Sequence, residues 1–261
     1  MVFRLAARSL LRNPALSLLC ISALGLGIGA NATVFAFVDK MLLEPFPFPQ
    51  ARRVMALEAS PGRDRRQVPV PTFEAWVADT RTLEALGGYR WWEVNLTGVH
   101  EPEHLVAYQV TANLFRVLGV APALGRDFLD SEATGGNEHV VVLSHATWQR
   151  RFGGDPDILG KSAMLDGQSY TVVGVMPPDF RFPKAAALWA PLVVTEEMRE
   201  ARASHILFGV GRMRPGETVR TVQAELSATS ARVQALHPGS EVGHAAQVFD
   251  LRDYGDPTAR F

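Results

Sequence analysis

The stretch Pro14–Val38, PALSLLCISALGLGIGANATVFAFV, decides the class of this chain, because its 25 residues carry no charge before Asp39. As a helix rising about 1.5 Å per residue it reaches roughly 37 Å, more than the approximately 30 Å hydrocarbon core of a bilayer. A soluble core helix of that length without a charge is unusual, so residues 14–38 read as a transmembrane helix. Arg4, Arg8 and Arg12 precede it and no acid does. Residues 1–13 are therefore a basic cytoplasmic segment, and the body from residue 39 onward lies outside the cytoplasm. A signal peptide cleaved at Ala30-Asn31-Ala32 fits less well, because the apolar run continues through Val34, Phe35, Phe37 and Val38. Both readings export the body.

Two motif matches lie in this run. Gly25-Leu26-Gly27-Ile28-Gly29-Ala30 satisfies G-x-G-x-x-[GA], but that fingerprint works only after a strand and inside a βαβ unit. An apolar span supplies neither, so no nucleotide site is expected. The same glycines give Gly25-x-x-x-Gly29, a small-residue face on which another membrane helix can pack closely. Gly25 and Gly29 are the only candidate site residues. Composition narrows the rest. The chain has 26 basic and 27 acidic residues, with three of the bases ahead of the span. The exported body is thus mildly acidic and of mixed sign, without the basic stripe of a nucleic-acid binder. A hydrophobic share of 47% argues for a packed core. The single cysteine, Cys20, excludes an intrachain disulfide framework and any multi-cysteine zinc site.

Along the body, Glu44-Pro45-Phe46-Pro47-Phe48-Pro49 reads as an extended strut, since alternating prolines forbid helix and sheet pairing. Arg52–Ala59 predicts a first strand, and Gly62–Gln67 a polar loop. Thr72 is placed to cap a helix carrying Phe73, Trp76, Val77, Leu83 and Leu86, stopped by Gly87-Gly88. Trp91–Leu96 and Leu105–Thr111 predict strands, followed by a short helix from Asn113 to Leu118. Val140–Leu143 predicts a strand, and Ser144 caps a helix ending at Gly153-Gly154. Asp166-Gly167, between Lys161–Leu165 and Tyr170–Val175, is a strong hairpin signal. Ile206–Met213 predicts a strand. Thr218–Leu236 places Val219, Val222, Leu226, Val233 and Leu236 on one helical face, ended by His237-Pro238-Gly239. Val242–Val248 predicts a last strand. Strands and helices interleave, and the fold class is α+β.

Catalytic signatures are weak. His100-Glu101-Pro102-Glu103-His104 matches H-E-x-x-H, but that chemistry needs a helix, and Pro102 sits between two strand patterns. It reads as a charged hairpin loop. No G-x-x-x-x-G-K-[ST] occurs, so the chain has no phosphate-cradling loop of its own, and Ser144-His145 lacks a nucleophile elbow. Trp91, Trp92, Trp148 and Trp189 read as core. The expectation is a protein that is not an enzyme, with no catalytic residues, no cofactor and no metal.

Taken together, SLLRNPALSLLCISALGLGIGANATVFAFVDKMLLEPFPFP, NLTGVHEPEHLVAYQVTANLFRVLGVAPALGRDF, VVVLSHATWQRRFGGDPDILGKSAMLDGQSYTVVGVMPPDFRFP and LWAPL resemble the MacB/FtsX-like ABC transporter permeases. The likeness is greatest to their duplicated orphan group, over residues 3 to the C-terminus. It implies a MacB-type periplasmic core domain over residues 39–261, with a porter-like lobe from about 50–119 plus 200–250. A sabre-like lobe of about 120–199 would be inserted between its halves. It further implies a bacterial inner-membrane protein whose partners are a separate ABC ATPase subunit and other permease membrane helices. The periplasmic domain would act mechanically, for export or mechanotransmission. Members of the family continue into further membrane helices, whereas no apolar run of that length follows residue 38. The chain is therefore expected to be part of a longer permease or a single-span relative. The alternative is a stand-alone membrane-anchored periplasmic binding or sensor module.

Overall fold

A computed structural model describes residues 18–19, 22–29, 31, 48–59, 67–98, 101–236 and 245–251. The chain divides into two units, Met1–Phe46 and Pro47–Phe261. In the first, Leu18, Leu19, Ser22–Gly29 and Asn31 are helical and exposed. The remainder of the 14–38 run lies outside the described residues, as do the basic segment 1–13, most of the proline-spaced strut, the 62–66 loop and the 237–239 terminator. Among the described residues no helix is long and apolar enough to cross a membrane.

The second unit is α+β. In chain order it runs β1 (Val54–Ala59), β2 (Val68–Pro69), α1 (Val70–Asp79), β3 (Leu83–Thr97), β4 (Glu103–Val110), α2 (Leu114–Leu118), β5 (Leu124–Gly125) and β6 (Val140–Leu143). There follow α3 (His145–Phe152), β7 (Ser162–Leu165), β8 (Gln168–Val175), β9 (Leu188–Pro191), α4 (Glu196–Glu200), β10 (His205–Met213), α5 (Val219–Leu236) and β11 (Ala246–Asp250).

Two cores share one strand. The order β11-β1-β10-β3 is antiparallel throughout. Hence α1 joins β1 to the parallel β3, and α5 joins β10 to the parallel β11, each crossing over the strand between. That is the split β-α-β arrangement. One face of this sheet buries Met55, Leu57, Leu83, Leu207 and Val248 against Phe73 and Trp76 of α1 and Val222 and Leu226 of α5. An amphipathic helix must bury its apolar stripe on such a face. Gly209 and Gly211 of β10 stand opposite Leu57 and Met55, and a Cβ on Gly209 would lie 3.0 Å from the Leu57 Cβ.

Beyond Tyr89, β3 enters a second structure. It pairs with β4, β4 with β9, β9 with β6, β6 with β8, β8 with β7, and β7 returns to β3 at Leu96↔Leu165. Six strands thereby close on themselves, which removes free edges. Val94, Leu96, Leu105, Ala107, Val141, Leu143, Leu165, Val172 and Leu188 form one buried cluster there, with Trp148 and Phe152 of α3 packed against it.

Several local expectations hold. Ser144 Oγ accepts from Thr147 N at 3.1 Å as the cap of α3. Asp166 and Gly167 take φ of 47° and 79°, the left-handed values the tight hairpin needs. Others need correction. Thr72 lies inside α1 rather than capping it, because Pro69 stands at the N-cap and Pro71 in the first turn. The helix stops at Asp79, and Leu83, Leu86 and Gly87-Gly88 belong to β3. Gly88 ends no helix. A Cβ there would meet the Phe73 ring at 2.9 Å, so the bare backbone is what lets α1 sit on the strand. Leu105 and Ala107 of β4 pack in the closed barrel. β9 and α4 carried no clear signal in the sequence.

Candidate functional site

The two ends of the described body meet at one end of the sheet. The chain arrives through Phe48–Arg53 into β1, and Met55 of β1 pairs with Asp250 as β11 finishes. The chain thus enters the described body and completes its last strand at the same end of the sheet, which is taken as the candidate site.

The arriving segment is anchored by rings and by two arginines. Phe48, only 6% exposed, meets Phe180 at 6.0 Å and the Phe182 ring edge-on at 5.8 Å. Phe182 touches Tyr89, which stacks on Phe208 of β10 at 5.1 Å and meets Tyr108 of β4 edge-on. Phe180 touches Phe115 of α2 and Trp189 of β9. Offset and edge-on pairs of this kind add to their area burial. The rings thus join the entry segment, α2, β10 and three strands of the barrel, and Tyr89 stands where β3 passes from one core to the other. It pairs with Phe208 on one side and Val110 on the other.

Arg53 Nε donates to Met213 O at 2.8 Å, and its other nitrogens reach Gln50 Oε1 and Glu84. Arg212 lies on the opposite face of β10 from the helices, since Gly211 and Met213 face them. Its Nε donates to Val117 O at 2.7 Å and its Nη1 to Pro49 O at 3.2 Å. Burial first, then the charge of Arg53, pushes Arg212 below its ordinary pKa, and Glu84 opposes this. The buried Nη2 has no hydrogen-bond partner. It lies over Gly119, where φ is 71° and a Cβ would come within 2.9 Å of it. Glycine is suited to that position both by its left-handed backbone and by the guanidinium above it.

The residues singled out in the sequence are elsewhere. Gly25 and Gly29 are helical and exposed, and a Cβ on either meets nothing within 4 Å. His104 lies on β4, with Nδ1 3.4 Å from Asn95 Oδ1 and Nε2 3.7 Å from Glu93. A strand does not present the pentapeptide as a zinc-protease helix would; His100 lies outside the described residues. Among the described residues no group of three or more His, Cys, Asp or Glu is placed to hold a metal. Of the four tryptophans expected in the core, Trp189 is fully buried, whereas Trp91 is 38% exposed. Sequence reading missed the anchoring residues Phe48, Arg53 and Arg212. One signal was present: Arg212 is the single charge in the apolar run Ile206–Met213.

Comparison with known proteins gives a consistent result. The family model described as the MacB-like periplasmic core domain matches residues 17–229. The fold is similar to the periplasmic region of MacB from Actinobacillus actinomycetemcomitans, with TM-score 0.59 and 16% identity, covering 78% of this chain and 91% of that one. It is similar to the extracellular domain of the noncanonic ABC-type transporter YknZ from Gram-positive bacteria, with TM-score 0.55 and 13% identity, covering 75% and 99%. A permease-protein domain from Porphyromonas gingivalis gives TM-score 0.59 at 14% identity, covering 78% and 92%. No curated protein matches the chain.

Proposed function

Because the chain belongs to the family of MacB-like periplasmic core domains, we propose that it is the extracytoplasmic, non-catalytic part of an ABC transporter permease of the MacB/FtsX type. In this reading residues 14–38 form a membrane helix with its N-terminus in the cytoplasm. A separate ABC ATPase subunit drives the motion, and Gly25 and Gly29 face another permease helix. The narrower likeness to the duplicated orphan group belongs to the same proposal. So does the division into a porter-like lobe, about 50–119 plus 200–250, and a sabre-like lobe, about 120–199. The closed barrel qualifies that division, because it borrows the far half of β3 and β4 from the first segment.

The observation that carries the reading is the anchored entry. Phe48, Arg53 and Arg212 tie the chain leaving the uncharged run to both cores at the end where β11 also finishes. A body built to be pushed or pulled from the membrane needs such an attachment. Reporter fusions at Gly62 and Gly239 should be active with an export-dependent reporter, and an ATP-binding-cassette subunit should co-purify with the full chain from solubilised membranes. Activity only with a cytoplasm-dependent reporter, or an exported body that never associates with an ATPase, would overturn the proposal.

A further inference from the structure

We propose that Arg212 is a positioning residue, a latch that makes the entry segment and the C-terminal end of α2 move together. The proposal rests on the reading of the body as a mechanical element. The planar guanidinium holds two carbonyls that belong to neither β10 nor each other: Val117 O at 2.7 Å and Pro49 O at 3.2 Å. Segments separated by 95 and 163 residues from Arg212 therefore converge on one rigid group. A fork of fixed geometry holds two acceptors in one relative position, which a single flexible ammonium does not.

Three further observations favour a coupling role over plain packing. Arg212 is only 7% exposed, so water does not readily replace the lost carbonyls. Its Nη2 is left without an acceptor against Gly119. An apolar side chain would fill this space without orphaning a buried donor, so the arginine is explained by what its other two nitrogens hold. Glu84, the acid that acts on its charge, is ion-paired with Arg53 instead. The latch also acts close to the helix end. The Gly119 and Val120 amides close α2 by donating to Arg116 O and Phe115 O, each at 3.0 Å.

A hydrogen-exchange cycle on the full chain in detergent micelles tests this. Pro49→Gly loosens the entry, and because the Pro49 ring stands beside Gly119, a direct share of its effect does not need Arg212. It should speed exchange of the Gly119 and Val120 amides roughly tenfold, the scale of coupling between groups that share a partner. In Arg212→Met those amides should already be fast, and adding Pro49→Gly should speed them only by that direct share. Arg212→Lys should fall between, and it carries the cycle if the methionine variant fails to fold. The latch is overturned if Pro49→Gly acts equally with and without Arg212. It is also overturned if Arg212→Met speeds exchange at Val141 and Val172 of the barrel by the same factor, which a general loss of stability would do. Additivity in this cycle sinks the latch and leaves the transporter reading standing. Failure of the topology and co-purification tests sinks that reading and leaves the cycle intact.

Discussion

The sheet β11-β1-β10-β3 and the closed barrel solve the same problem, the burial of strand faces, in different ways. The sheet relies on added layers. Trp76 of α1 and Leu226 of α5 cover one face, while α2 and the entry segment meet Arg212 on the other. The barrel needs few such covers, because its strands turn their apolar residues toward one another and close at Leu96↔Leu165. The sheet can therefore be reached from outside through its layers, whereas the barrel is sealed by its own hydrogen bonds. Since β3 belongs to both, the difference concerns access rather than independence.

The most severe way to break this comparison is to strip a layer from the sheet. Leu226 is fully buried between α5 and the strands, and its carbonyl accepts from Trp76 Nε1 at 3.2 Å. Leu226→Ala should cost about 2–5 kcal/mol through the cavity it leaves. Because β3 runs unbroken through Tyr89, the barrel should unfold in the same transition, giving one cooperative denaturant curve moved to lower midpoint. Two separate transitions, only one of them displaced, would show that the shared strand does not couple the cores.

A smaller effect is expected where the barrel closes. Asp166 Oδ1 accepts from Asn95 N at 3.0 Å and from Asn95 Nδ2 at 2.9 Å, fastening the β7–β8 hairpin to β3. Asp166→Gly, which keeps the left-handed backbone unstrained, should cost about 1–2 kcal/mol through the two lost hydrogen bonds, and raise exchange at Leu96 and Leu165 before the sheet is affected. Equal loosening of β1 and β10 would mean that the closure supports the whole body rather than the barrel.

The two regions were also unequally legible in the sequence. In the barrel, local rules decide: Ser144 caps α3, and Asp166-Gly167 makes the hairpin where it reads as one. In the sheet, tertiary packing overrides them. Gly87-Gly88 punctuates like a helix stop, yet Gly88 is bare strand because the Phe73 ring lies on it. Leu83 and Leu86 kept helical spacing by coincidence and are strand residues. The pairing of β7 back onto β3 had no local signature, since closure depends on strands about 70 residues apart. The anchoring site was the least legible part. Phe48 looks like one more residue of a proline-spaced strut, and Arg212, the single charge in an apolar strand, does not by itself say what it holds.

The gentlest test titrates one fastening of the helix layer. Glu225 on α5 accepts from Arg81 N at 2.8 Å, Thr82 N at 3.0 Å and Thr80 Oγ1 at 3.2 Å, and from the Thr82 hydroxyl. Burial alone would raise its carboxyl, but these donors outweigh it and hold the folded-state value below the ordinary 4.5. A carboxyl depressed on folding contributes stability that is present above its unfolded value and is lost as pH falls through the folded one. Stability should therefore begin to decline as pH drops below about 4.5. Glu132, held by Arg126 outside the helix layer, shares that direction and contributes to the same decline. Glu225→Gln removes only the α5 contribution. The variant should be slightly less stable than the parent at neutral pH, and the two should converge as pH falls, followed by denaturant midpoints from pH 7 to 3. Midpoints that stay a constant distance apart would mean that the Glu225 charge does not fasten α5 to the turn before β3. The helix layer would then rest on its apolar contacts, those of Phe73, Trp76, Val222 and Leu226 among them.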